Sequence, residues 1–410
     1  MTERSETGVQ SAQRNVQNNL QRRNFLKLSA ACSLGAGTLS NLNSAASAAT
    51  AQPDSSARLA GKPSSHPMVI IDALGDISNE NLPESAQTGP EQGIDLRALA
   101  DARASGLTAF NHTLGYVFGD QEPFEFTVKD IGTWDALIRR HADTLVKIYH
   151  VADIHAARQR GQIGVIYGFQ NSAMMGNDAG RVEIFANLGV RVIQLTYNNR
   201  NQVGDGAMVP ENRGLTEFGR NVVHELNRHR VLVDLSHSGE QTCLDAAAAS
   251  TSPIVISHTG CRAVTDLPRN KTDRELKRVA DSGGFVGIYF MPFLAIDRQP
   301  MAADLIAHIE HAIQVCGEDH VGIGTDGSVP QIDDMPGYLD ALRKEVEQRR
   351  AQGIGAAGER GDIVKFLPDL VGTRKFYRLA ELLRQRGHSQ QRIEKIMGLN
   401  FLRVAQQVWS

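Results

Sequence analysis

Several polar pairs in this chain follow directly on runs of β-branched and aliphatic residues, and two of them are Ser-His: Ser236-His237 and Ser257-His258. A third run ends in Thr325-Asp326, and others end in Asp72 to Asp76, Asn111-His112, Gln170-Asn171 and Tyr197-Asn198. Neutral imidazoles on rigid strands are good donors to a borderline-soft divalent ion such as Zn2+. A carboxylate beside them either completes the ion's shell or takes a proton from an activated water, and Asp326 is placed for one of these tasks. One such histidine alone reads better as a hydrogen-bonded structural group. Two Ser-His pairs at equivalent places, with an aspartate at a third, favour a site. His112 reads either as an extra ligand or as a polar residue of the rim. Asp72 and Asp76 read either as site groups or as strand-end caps.

The runs are residues 68–72, 107–111, 163–169, 190–196, 231–235, 253–257, 285–290 and 321–324, eight in all, and every one but 285–290 leads into one of these polar endings. Helical patterns alternate with them, such as 134–148, 216–229 and 273–282, several opened by Thr or Ser in a capping position. In 216–229, Phe218 and Val222 share one face at helical spacing. Strand-helix alternation of this kind predicts a (β/α)8 TIM barrel of the metal-dependent-hydrolase type, whose site gathers at the C-terminal ends of the strands. The alternative, an open doubly wound sheet, would place a glycine fingerprint after the first strand, and none is there. Beyond the eighth run come a Gly/Ala-rich loop at 353–361 and helical stretches at 374–386 and 390–397.

From about residue 68 to 404 the chain resembles the membrane (renal) dipeptidase family. The resemblance is carried by Gly214-Leu215-Thr216-Glu217-Phe218-Gly219, Val233-Asp234-Leu235-Ser236-His237 and Val255-Ile256-Ser257-His258. Arg269-Asn270, Gly322-Ile323-Gly324-Thr325-Asp326 and Asn400-Phe401-Leu402-Arg403-Val404 continue it in order. The resemblance implies hydrolysis of dipeptides by water activated between two zinc ions. It places His237 and His258 on two metal-binding histidines and Asp326 on the aspartate that handles protons. It places Arg269 on the arginine that grips the substrate carboxylate, a task for a planar bidentate cation.

Three positions depart from the family pattern. Its His-x-Asp metal motif reads Leu74-Gly75-Asp76 here, which leaves Asp76 without its histidine. The bridging glutamate falls on Gln170, and a histidine that assists the transition state falls on Tyr197. Two cations roughly 3.5–4 Å apart repel strongly, and a neutral amide does little to offset that. One Zn2+ at His237 and His258 is therefore expected rather than two. Tyr197 suits hydrogen-bond donation to a developing oxyanion, since a phenol with its usual pKa of about 10 is a poor base.

A single barrel accommodates the 410 residues, and a formal charge of -3 argues against a nucleic-acid partner. Four scattered cysteines are too few for a disulfide framework and read as thiols. Arg22-Arg23 precede a mildly apolar stretch that ends in Ala46-Ser47-Ala48, resembling a twin-arginine signal with its cleavage site. The expected organisation is a signal at 1–48, a linker at 49–65 and one domain at 66–410, exported to the periplasm by the twin-arginine machinery. The expected substrate is a dipeptide or similar small amide with a free carboxylate, and the resemblance allows a homodimer. Two other readings fit the same barrel: a non-peptidase maturation enzyme, for example of siderophores, and a metal-free binding protein.

Overall fold

The computed structural model describes residues 68–410, so the signal and linker readings lie outside the described residues. Nine parallel strands form one sheet: β1 (Ile71–Asp72), β2 (Ala109–Leu114), β3 (Leu145–Lys147), β4 (Ile163–Phe169), β5 (Val190–Gln194), β6 (Leu232–Asp234), β7 (Val255–Thr259), β8 (Phe285–Ile288) and β9 (Val321–Ile323). Eight of them follow one another in chain order around a nearly closed barrel, and β3 pairs only with β4. The Ala73 N–H donates to the Ile323 carbonyl at 3.1 Å, which joins the first staves to the last and excludes the open sheet.

The eight main strands are short and almost wholly buried, as expected of staves covered by helices outside and side chains inside, whereas Val146 and Lys147 of β3 are half-buried. Ile71, Ala109, Ile166, Val192, Leu232, Val255 and Phe285, one from each of seven strands, form a single layer inside the barrel. Phe401, Val404, Val408 and Trp409 of the helix Asn400–Trp409 complete that layer. The chain enters this helix past Gly398, where a Cβ would stand 2.8 Å from the Val69 carbonyl oxygen. Only a glycine lets the backbone lie this close to β1.

The sequence reading needs four adjustments here. The helix expected at 134–148 runs instead from Pro123 to Arg140, and 145–147 is the extra strand β3. Because β2 pairs along residues 164–169 of β4, β3 and β5 share its other edge, β3 on 163–165 and β5 on 167–169, where the register of β5 shifts between Tyr167 and Gly168. The helix Met335–Ala351 has no counterpart in the sequence reading. The stretch expected at 390–397 continues through a kink into the helix Asn400–Trp409. His112 and His258 lie inside β2 and β7, not just past their ends. The helix at 216–229 is as expected: Thr216 accepts from the Gly219 amide at 2.9 Å, and Val222, Val223 and Leu226 are buried. Among the described residues Cys243, Cys261 and Cys316 are free thiols, and no helix is long and apolar enough to cross a membrane.

Candidate active site

Two seams of the barrel have little backbone pairing, and a buried carboxylate fastens each of them. β6 and β7 share one register pair, Asp234 with Val255. The Asp234 carboxylate accepts from the backbone amides of Ser236 and Ser257, both at 3.0 Å, and from both hydroxyls at 2.5 Å. At the closing seam, Asp72 accepts from the Thr325 amide at 2.7 Å and its hydroxyl at 2.6 Å. Each aspartate ends its own strand and takes donors that the next strand cannot place on a carbonyl. Burial pushes Asp72 up to about 6, with Lys375 and the Thr325 donors opposing, and pushes Asp234 up as well.

These seams aim the expected site residues. The His237 and His258 Nε2 atoms face each other at 3.0 Å. His237 Nδ1 lies 2.7 Å from Asn198 Oδ1, while Asn198 Nδ2 donates to the Ile354 carbonyl at 2.9 Å. That carbonyl fixes the amide's orientation, so His237 carries its proton on Nδ1. The Ser257 hydroxyl donates to Asp234, so His258 Nδ1 donates to Ser257 Oγ at 2.8 Å. Both Nε2 atoms then present lone pairs to one point. Burial, with Arg269 next in effect, holds both imidazoles well below their usual pKa and so neutral. Two bare nitrogens at this separation repel unless an electrophile stands between them, and neutral imidazoles braced at Nδ1 are what a zinc ion requires. The pair fits a metal ion as two of its ligands. Among the described residues no group of three or more His, Cys, Asp or Glu side chains is arranged to hold one.

Asp76, Tyr197, His237, Arg269 and Asp326 all line one cavity, between the barrel mouth and the segment that follows β9. The open space there is about 1380 Å³, part of it continuous with solvent. Asp326 sits at φ 56°, a conformation few non-glycine residues hold, and this turns its carboxyl away from the strand. Loss of water contact pushes that carboxyl up to about 7, against the pull of Arg269 and Lys365. Arg269 is buried; it donates to the Ser236 carbonyl at 2.6 Å and the His258 carbonyl at 3.2 Å and lies over the Tyr289 ring. It therefore braces both histidine-bearing strands while still reaching the cavity, a double use of a five-donor guanidinium. Tyr197 stacks on His237 with centroids 4.3 Å apart, and burial raises its phenol pKa, so it keeps its proton and can donate but does not act as a base near neutrality.

The remaining expected groups lie on the β1–β2 side. His112 Nδ1 stands 3.6 Å from Asp76 Oδ1, and its ring packs on Trp134. Asp76 also accepts from the Ile77 amide at 2.7 Å and the Ser78 hydroxyl at 2.6 Å, the pattern of a strand-end cap. A small recess joins Leu74, Asp76 and His112 to Asp326, which thus borders both spaces. Gln170 donates to Thr113 Oγ1 at 2.8 Å, and its Oε1 is buried without a hydrogen-bond partner among the described residues. Sequence reasoning named Asn198 and Asp234 without giving either a role, and it missed the Arg349–Glu359 pair at 2.6 Å, of which Arg349 also hydrogen-bonds Tyr197. An Asp-x-Ser pattern at 234–236 was the one available signal for the carboxylate.

Residues 84–353, more than half of the chain, match the membrane dipeptidase family, peptidase family M19. The chain belongs to this family. The dipeptidase-family chain is 28% identical to "Dipeptidase tcpJ" of Claviceps purpurea over 69% of its own length and 60% of that protein, so it spans less than two-thirds of this relative. It is 27% identical to an uncharacterised protein in the pqqA 5′ region of Klebsiella pneumoniae, over 70% of its own length and 98% of that protein. Among solved structures, an amidohydrolase from Pseudomonas aeruginosa superposes with a TM-score of 0.68 at 32% identity, covering 83% of this chain and 97% of that one. The barrel and the family place the chain among dipeptidase-like metallopeptidases.

Proposed function

We propose that this chain is an exported metal-dependent hydrolase that cleaves the amide of a dipeptide, or of a similar small amide bearing a free carboxylate. His237 and His258 would hold a single zinc ion. The observation that carries the reading is the pair of Nε2 atoms converging at 3.0 Å with both Nδ1 positions committed elsewhere. A zinc ion held there supplies Lewis-acid polarisation and a water acidic enough to react near neutral pH. The chain's own groups do the rest. Asp326, with a pKa of about 7, exchanges a proton near neutrality. Tyr197 donates a hydrogen bond to charge that develops on the scissile carbonyl oxygen. Arg269 uses the donors left after its two backbone bonds to orient the carboxylate. Asp76, Gln170 and His112 are assigned to supporting this side of the mouth, and the arginine pair at 22–23 supports twin-arginine export to the periplasm.

The test is zinc content per chain together with hydrolysis of a dipeptide panel, for the native protein and for His237→Ala with His258→Ala. About one zinc per native chain, lost together with hydrolysis in the double variant, is the expected result. Equal zinc in both proteins removes the site. Zinc without turnover of any small amide removes the hydrolase reading.

A further inference from the structure

The cavity over the histidine pair has two unlike halves. Its floor is polar, with His237, Arg269, Asp326 and Tyr197. Its far half has an apolar wall, and that wall comes from two separate elements. Phe290, Met291 and Phe293 rise from the end of β8 and the short turn after it. Leu342 and Val346, on the helix Met335–Ala351, face this space together with Phe366. The helix side belongs to a hydrophobic cluster distinct from the barrel core, built on Ile332, Tyr338, Leu342, Val346 and Val364.

Two ion pairs flank this apolar wall. Glu359 is paired with Arg349 at 2.6 Å, and Glu345 is paired with Lys365. A free dipeptide bound by its carboxylate at Arg269 would point its α-ammonium toward this half. It would meet aromatic and aliphatic side chains and carboxylates that already hold a cation. Burying an ammonium there without a partner is costly, whereas an apolar group would displace water from an apolar wall.

We infer that the preferred substrate is an N-acyl amino acid, with its carboxylate at Arg269, its amide beside His237 and a long apolar acyl arm between Phe290–Met291–Phe293 and Leu342–Val346–Phe366. This rests on the hydrolase reading for the cleavage step, in which water adds to the amide carbonyl and the C–N bond breaks to give a fatty acid and a free amino acid. Binding of the arm does not depend on that step.

The experiment is calorimetric titration of the full chain, as purified, with a series from N-acetylglycine to N-decanoylglycine. Kd is expected to fall about fourfold for each added methylene until the arm is filled. The variant Val346→Trp, which fills the arm, is expected to cut the ratio of acetyl to decanoyl Kd by roughly tenfold or more. A Kd that stays flat along the series overturns the inference, and so does a folded Val346→Trp that keeps the native gradient. If the variant does not fold, the native series decides alone. Graded binding without hydrolysis of any zinc-loaded complex defeats the hydrolase reading and leaves the acyl arm standing. Hydrolysis of free dipeptides with a flat acyl series does the reverse.

Discussion

Asp234→Asn keeps the shape of a side chain and reverses the role of one atom. Asp234 Oδ1 accepts from the Ser236 amide, the Ser236 hydroxyl and the Ser257 amide, while Oδ2 accepts the Ser257 hydroxyl at 2.5 Å. An asparagine that keeps its oxygen toward the three shared donors must point its NH2 at Ser257 Oγ. The Ser257 hydrogen then turns to His258 Nδ1, 2.8 Å away, and the imidazole proton moves to Nε2. That is the atom facing His237 at 3.0 Å, and a metal ion would have to displace the proton. Loss of such an outer partner typically weakens metal binding roughly 10–100-fold, or about 1.4–2.7 kcal/mol. Zinc affinity is read by competition with a chromogenic chelator, and the protonated ring nitrogen by 15N–1H correlation spectra of the imidazoles. The expected outcome is a loss within that range, together with a proton on His258 Nε2. Zinc affinity within about threefold of native, with His258 still protonated at Nδ1, would refute the relay from Asp234 through Ser257.

Asp326 acts as a base only when ionised, so kcat/KM should rise with pH through about 7, and Asp326→Asn should remove that acid limb from any residual activity. An unchanged limb in the variant assigns the titration elsewhere. Asp72 has a folded pKa pushed up to about 6 from the 3.8 of a free aspartate, so the folded state binds more protons between these values and stability falls as pH rises through that window. Asp72→Asn lacks this titration. Its stability relative to native should therefore improve by about 2–3 kcal/mol between pH 3.5 and pH 7.5, measured by urea unfolding at both. Equal differences at the two pH values would show that the shift is absent. Arg349→Met leaves Glu359 without its cation and should destabilise the segment over the mouth by about 3 kcal/mol, the lower end for a buried pair because Glu359 keeps some water contact. Faster proteolysis within residues 353–361 at unchanged global Tm would locate the loss there. Proteolysis at the native rate would show that the pair is not what holds the segment.

The eight main staves were legible as short aliphatic runs, seven of them leading into polar residues and 285–290 into aromatic ones, and the Ser-His repeats pointed to the mouth. β3 was not legible. Leu145, Val146 and Lys147 follow a strongly helical stretch at once, and three residues are too few to establish a period of two. The helix Met335–Ala351 escaped for a different reason. Its buried face includes Glu345 and Arg349 among Tyr338, Ala341, Leu342 and Val346, so apolar periodicity alone passes over it. For the same reason the upper half of the cavity was invisible: its ion pairs join residues distant in sequence, and nothing local marks them. Asp234 stood inside a recognised motif, yet its four-donor role depends on β7 lying alongside, and only the closed barrel shows that.

The layer that seals the barrel beneath the strands has a consequence for synthesis. Phe401 and Trp409 leave the ribosome after every stave they touch, and the bond from Ala73 to Ile323 needs β9 to be in hand before β1 has a neighbour on its outer side. Until then a growing chain is a curved sheet with two open edges and an uncovered apolar floor, the form most open to pairing with another chain. Closure of the barrel therefore waits until residues 400–409 have emerged. A nascent chain stalled short of residue 400 should recruit chaperones rather than reach a compact form.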